Sequence, residues 1–181
     1  MMRLEKAEGN LVELKARADA LDDYRKRLQE LKADHIGAFH QTDTYFEVPE
    51  GRLKLRETEG TQKAQIVYYE REDIAGPKTS RVFILELQEP EFFNSFLHKA
   101  LETKIVVDKT REIYRYQGTQ IHLDTVKNLG TFIEFERRTE GTPEATSKDR
   151  ETLEDLMKTL GINTKDLIEG SYSDLLTQGR K

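Results

Sequence analysis

Three cations stand two residues apart in Arg52-Leu53-Lys54-Leu55-Arg56, with a leucine between each pair. In an extended strand alternate side chains share a face, about 7 Å apart, so this spacing lines up like charges and backs them with an apolar face. A row of cations costs energy unless anions meet it. The same design recurs along the chain. Glu13, Lys15 and Arg17 alternate with Val12, Leu14 and Ala16, and Lys109 shares a face with Arg111. His122 and Asp124 alternate with Ile121 and Leu123, and Glu134 and Glu136 with Ile133 and Phe135. Each alternation by itself is what a half-buried antiparallel sheet turns toward water. Together, with acids and bases on different strands, they suit faces that look at one another.

Such an interior gathers Lys15, Arg17, Arg52, Lys54, Arg56, Arg71, Lys109 and Arg111 around Glu13, Asp124, Glu134 and Glu136. Buried charges persist only when paired or when they bind ions, so this set calls for a polyanion and a counter-cation together. A triphosphate with a divalent metal meets both demands. Arginine offers phosphate a bidentate fork and lysine a point charge. Glu134 and Glu136, with Glu13 and Asp124 beside them, supply the hard oxygen donors that Mg2+ or Mn2+ prefers. Blander readings stand next to these: Asp124 as a strand-ending residue, Glu13 with Lys15 as an ordinary ion pair. His122 is left unassigned, as a hydrogen-bonding residue. Glu70 and Glu86 fall out of phase with the nearest cations and read as surface residues. Lys78, in Gly76-Pro77-Lys78, is placed to close over a tunnel mouth, and Tyr45, Phe46, Phe93 and Phe96 read as packing residues.

The elements that must carry these residues follow from periodicity. Residues 10–17 alternate as a strand. Leu21, Tyr24, Leu28 and Leu31 then recur at helical spacing to about Lys32, with Asp19 as N-cap. Extended segments are expected over 36–48, 52–56, 63–71, 81–88, 105–116, 119–126 and 131–138, punctuated by Pro49-Glu50-Gly51, Gly60, Gly118 and Asn128-Leu129-Gly130. Pro90 opens a helix to about Thr103 that buries Phe93, Phe96, Leu97 and Leu101, and a third helix runs from Pro143 to Leu160. Eight strands with short connections give a mostly antiparallel sheet, and inward charged faces favour its closure. The fold class expected is α+β: an eight-stranded antiparallel closed β-barrel, the tunnel, with helices packed on the outside.

The chain has 181 residues, 29 Lys plus Arg against 34 Asp plus Glu, and no Cys, which suits one domain over 1–181 in a reducing compartment and excludes thiol chemistry. A net charge of −5 argues against general nucleic-acid binding. No apolar run reaches the roughly 20 residues of a membrane span, and the N-terminus lacks a signal-peptide core, so a cytoplasmic protein without a membrane partner is expected.

In order and spacing these motifs resemble the CYTH superfamily, the triphosphate tunnel metalloenzymes that include class IV adenylyl cyclases, thiamine triphosphatases and inorganic triphosphatases. The resemblance runs through Val12-Glu13-Leu14-Lys15-Ala16-Arg17, Gln41-Thr42-Asp43-Thr44-Tyr45-Phe46 and Gly51 to Arg56. It continues through Gly76-Pro77-Lys78, Lys109-x-Arg111, Ile121-His122-Leu123-Asp124, Leu129-Gly130, Glu134-Phe135-Glu136 and Ser171-Tyr172-Ser173-Asp174-Leu175-Leu176. The family's opening signature is Glu-x-Glu-x-Lys; Glu13 and Lys15 keep its last two members, and Leu11 stands where the first acid would be. The resemblance implies a tunnel barrel and metal-dependent attack on a triphosphate (ATP, tripolyphosphate or thiamine triphosphate), by a monomer or homodimer. It implies catalytic roles for Glu13 and Lys15, with ATP cyclisation to cyclic AMP and pyrophosphate as the first reaction and hydrolysis as the second. The departure at Leu11 leaves triphosphate or polyphosphate binding without turnover as a third reading. Tyr172 and Leu175 would pack over one end of the barrel.

Overall fold

Alternation at period two builds eight strands: β1 (Glu5–Arg17), β2 (Asp34–Phe46), β3 (Arg52–Thr58), β4 (Ala64–Arg71), β5 (Lys78–Leu87), β6 (Thr103–Tyr116), β7 (Thr119–Val126) and β8 (Gly130–Thr139). The computed structural model describes residues 5–179; positions 1–4 and 180–181 of the expected domain lie outside the described residues. All strand pairs are antiparallel, and the order β1-β5-β4-β3-β2-β6-β7-β8 returns to β1, closing a barrel. β1 makes the closure: residues 5–13 pair with β5 and residues 10–17 with β8. Turn chemistry sets the hairpins. Gln117 and Gly118 both take positive φ between β6 and β7, the twist-matched two-residue turn. Gly51 has φ 66°, where a Cβ would sit 2.6 Å from the Tyr68 hydroxyl.

Helices α1 (Leu21–Glu30) and α3 (Pro143–Thr159) pack Leu21, Leu28, Leu153, Leu156 and Met157 on the outward residues Val12, Leu14, Ile121, Leu123, Ile133 and Phe135. Helix α2 (Pro90–Ala100) sets Leu97 against Phe46, Leu55, Ala64 and Leu87. These helices bury the apolar backs of the charged rows, which leaves the charged faces no direction but inward. A third cluster lies within the barrel. Tyr45, Val67, Tyr69, Ile105, Val107, Val126 and Phe132 meet Tyr172, Leu175 and Leu176 of α4 (Tyr172–Gln178), so one end is plugged and the other is open.

Several details depart from the sequence reading. The N-cap of α1 is Ala20, with no side-chain cap, because the chain stays extended through Ala18, whose N–H bonds the Thr131 carbonyl. Phe96 is 56 % exposed, stacked on Phe92, since Phe93 and Leu97 already fill the inner stripe of this short helix. Lys78 is the first residue of β5 and lies at the plugged end. Glu86 faces the lumen near the open mouth and pairs with Lys63. Its register opposite Gln65 puts it on the inner face, which the cation spacing nearby did not show.

Candidate functional site: a charged tunnel with one open mouth

The inward residues form two levels. A wide mouth of about 640 Å3 is lined by Leu11, Phe39, Arg56, Val82, Ile84 and Ile113 among others. Below it lies an inner cavity of about 120 Å3 surrounded by Glu13, Lys15, Lys54, Arg56, Arg71, Lys109, Arg111, Glu134 and Glu136. The rows read from the sequence therefore converge, with three exceptions: Asp124 is buried behind Arg111 and lines neither level, and two cations stand apart at the plugged end. Arg17 is exposed below Phe132, and Arg52 is tied to Asp73 and Asp174.

Asp43 on β2 is the anion the sequence reading passed over. Its carboxylate accepts from Lys54 Nζ at 3.0 Å, Lys109 Nζ at 2.7 Å and Arg56 Nε and Nη2 at 2.7 Å. Burial acts to raise its pKa, yet Arg56, Lys109 and Lys54 together hold it well below the usual carboxylate range. The lysines bear the counterpart of this crowding: burial first, then the Arg56 charge, lowers Lys54 to about 8, and burial lowers Lys109 strongly despite Asp43. Two residues along β6 from Lys109, Arg111 forks onto Asp124 at 2.7 and 2.6 Å and reaches Glu134 at 2.6 Å, while Lys15 bonds Glu134 at 2.8 Å. Glu13 accepts from Arg71 at 2.7 Å. Burial nonetheless raises its pKa, with the Arg71 charge opposing and Glu134 adding to the rise.

The plugged end is fastened by polar contacts as well. Lys78 is fully buried and donates to the Ile168 and Glu169 carbonyls, each at 2.8 Å, so it anchors the C-terminal segment under the tunnel floor. Tyr172 donates to Asp124 at 2.6 Å, and its ring lies 3.7 Å from Lys15 Nζ. Asp124 is thus held by Arg111 and Tyr172, at a distance from the mouth.

Donor chemistry suited to a metal ion collects one level higher. His122, Glu134 and Glu136 offer ligand atoms within 4.8 Å of one another. His122 Nδ1 lies 3.5 Å from Glu134 and 3.8 Å from Glu136, is buried, and has no hydrogen-bond partner. Two carboxylates and an orphaned ring nitrogen fit a divalent cation. Other buried polar atoms on the lumen wall are also unpartnered: Arg71 Nε, Ser80 Oγ and Gln41 Oε1. Leu11 points between these levels, so the first signature position contributes an alkyl group to the wall.

A closed antiparallel barrel with a blind, polyionic lumen defines a protein built to receive a multiply charged anion from one side. The chain belongs to the CYTH domain family, whose model matches residues 10–172. It is 27% identical over 182 residues to a Methanocaldococcus jannaschii protein named "Putative adenylate cyclase MJ0240", covering 91% of this chain and 97% of that one. The structure of PH1012 from Pyrococcus horikoshii OT3 superposes with a TM-score of 0.80 at 26% identity, over 91% of this chain and 98% of that chain. The Hippeastrum protein HpAC1, described as having a dominant triphosphatase activity, shares the fold at a TM-score of 0.66 and 18% identity, over 93% and 96% of the two chains. Among the described residues no helix is long and apolar enough to cross a membrane.

Proposed function

We propose that the protein is a divalent-metal-dependent enzyme acting on a nucleoside triphosphate, closing ATP to cyclic AMP with release of pyrophosphate. The observation that carries this reading is the inner cavity, where Lys54, Arg56, Arg71, Lys109 and Arg111 converge while buried Arg71 Nε and Ser80 Oγ lack acceptors. Preorganised donors without acceptors suit phosphoryl oxygens, whose charge grows and shifts during transfer. The wide mouth, with Phe39, Val82, Ile84 and Ile113, offers apolar surface to an organic moiety beyond the phosphates. The name of the M. jannaschii relative supports the same reaction.

Glu134 and Glu136 would hold the metal, which when bound supplies charge neutralisation and polarisation at the phosphoryl oxygens. Lys54, Arg56 and Lys109, held parallel by Asp43, bind the polyphosphate and stabilise the charge of the leaving pyrophosphate. Arg71 and Lys15, at the plugged end, hold the innermost phosphate, and Arg56 and Arg111, which line both levels, face the phosphate nearer the mouth. Glu13 receives the proton of the attacking ribose 3′-hydroxyl, its burial-raised pKa bringing it nearer to the range useful to a general base. The hydroxyl oxygen bonds the α-phosphorus as the bond from that phosphorus to the β-bridging oxygen breaks.

The second reading is hydrolysis, with water in place of the hydroxyl and the terminal phosphorus as target; the activity described for HpAC1 favours it. Incubation with ATP, tripolyphosphate or thiamine triphosphate in Mg2+ or Mn2+, followed by product identification, separates the cases. Cyclic AMP selects the first reading and orthophosphate the second. Tight binding without product selects a triphosphate-binding module, the outcome that Leu11 favours.

A further inference from the structure

We propose that His122 is a metal ligand: its Nδ1 joins Glu134 and Glu136 in a mixed nitrogen and oxygen site that selects a first-row transition ion such as Mn2+ over Mg2+. This rests on the reading of Glu134 and Glu136 as metal-holding residues and adds to it a donor and a preference.

The argument begins with hydrogen bonding around the ring. His122 is 2 % exposed, and its Nε2 lies 3.3 Å from Gln120 Oε1, an acceptor. With Gln120 Oε1 placed to accept from Nε2, Nδ1 is the ring nitrogen free to act as an acceptor. That nitrogen faces two carboxylates, at 3.5 and 3.8 Å, and has no donor of its own among the described residues. Glu134 already accepts from Arg111 and Lys15, so the group left without a partner is Nδ1, and a cation between it and the carboxylates would supply one. A ligand histidine commonly donates its second nitrogen to a fixed acceptor, which sets the tautomer and aims the ring, and Gln120 stands in that place.

Strand geometry explains how the donors meet. His122 pairs with Glu134 across β7 and β8, and Glu136 follows on the same face opposite Gln120. On β1 Glu13 lies directly opposite Glu136, while Leu11, one inward position nearer the mouth and opposite Arg138, offers no donor, so oxygen ligands from that wall are fewer by one. Mg2+ binds oxygen and gains little from imidazole, whereas transition ions accept it readily. Replacing an oxygen donor by a ring nitrogen thus shifts the preference away from Mg2+. Glu136 is 28 % exposed at the mouth, giving an ion a route from solvent.

The test uses the full chain and metal alone, without nucleotide. Mn2+ is titrated while the free-ion electron paramagnetic resonance signal is followed, and Mg2+ is added as competitor; pulsed measurements on the loaded protein report nitrogen coupling. The expected result is Mn2+ affinity at least about tenfold above that for Mg2+, with a 14N coupling. His122→Phe and His122→Asn should each weaken Mn2+ binding by about 10–100-fold and abolish the coupling, while Mg2+ affinity changes much less. The Asn variant serves if the Phe variant fails to fold, each being checked by thermal melting. Unchanged Mn2+ binding in both variants, or a wild-type complex without nitrogen coupling, overturns the proposal. If Glu136→Gln still loses binding in that case, the metal-dependent function stands and the histidine assignment falls. If Mn2+ binding survives Glu136→Gln as well, both fall.

Discussion

Asp43 allows Lys54, Arg56 and Lys109 to share one buried place. Removing one partner of a buried ionic cluster strands the others, a loss of about 3–5 kcal/mol. Asp43→Asn should therefore lower stability by about that amount in urea unfolding. Tripolyphosphate should restore more stability to the variant than it adds to the native protein, because it replaces the missing anion. Removing a cation has the opposite sense for ligands: Lys54→Ala or Arg56→Ala should weaken tripolyphosphate binding by about tenfold or more in calorimetry, and unchanged binding would remove them from the site. Titration of Lys54 couples these effects. With a pKa of about 8 in the folded chain against 10.5 in the unfolded one, the unfolded chain holds more protons between those values. Stability of the free protein contributed by this group should rise with pH through that window, while tripolyphosphate affinity falls as the neutral amine forms. Melting and binding curves at about pH 7.5 and about pH 9.5 should thus move in opposite directions. The sequence displayed the cation rows because leucines frame them, but Asp43 sits in Gln41-Thr42-Asp43-Thr44-Tyr45, where no apolar alternation marks a face. Its role depends on the register of β2 with β3 and β6, which a single chain does not spell out.

Among the elements, α4 is the one whose stability rests least on itself. Seven residues are too few to hold a helix in water, and this one is fixed by the Ser171 and Asp174 capping box, the Arg52 to Asp174 ion pair and the Tyr172 to Asp124 bond. Ser171→Ala should cost about 1 kcal/mol, seen as faster amide exchange across residues 172–178 with barrel strands unaffected. The strands themselves were largely legible, since period two and glycine turns survive any register. Their ends were less so: Lys6-Ala7-Glu8-Gly9 carries weak strand propensity, and only pairing with β5 extends β1 back to Glu5. Helix α2 shows the converse, where spacing nominated Phe96 for burial and packing left it outside.

At the scale of the molecule, closure makes binding and folding one equilibrium, because the lumen exists only when β1 has joined both β5 and β8. A ligand present at one hundred times its dissociation constant adds about 2.7 kcal/mol, which for a chain of this size shifts Tm by about 5–10 °C. Tripolyphosphate should produce that shift, and sulfate at equal ionic strength should not. The plug formed by Phe132, Tyr172 and α4 has its own effect on traffic. A cul-de-sac fills and empties by the same door, so whichever fragment of a cleaved polyphosphate lies deepest departs last. Turnover would then be throttled by evacuation, and the innermost product would be the stronger inhibitor.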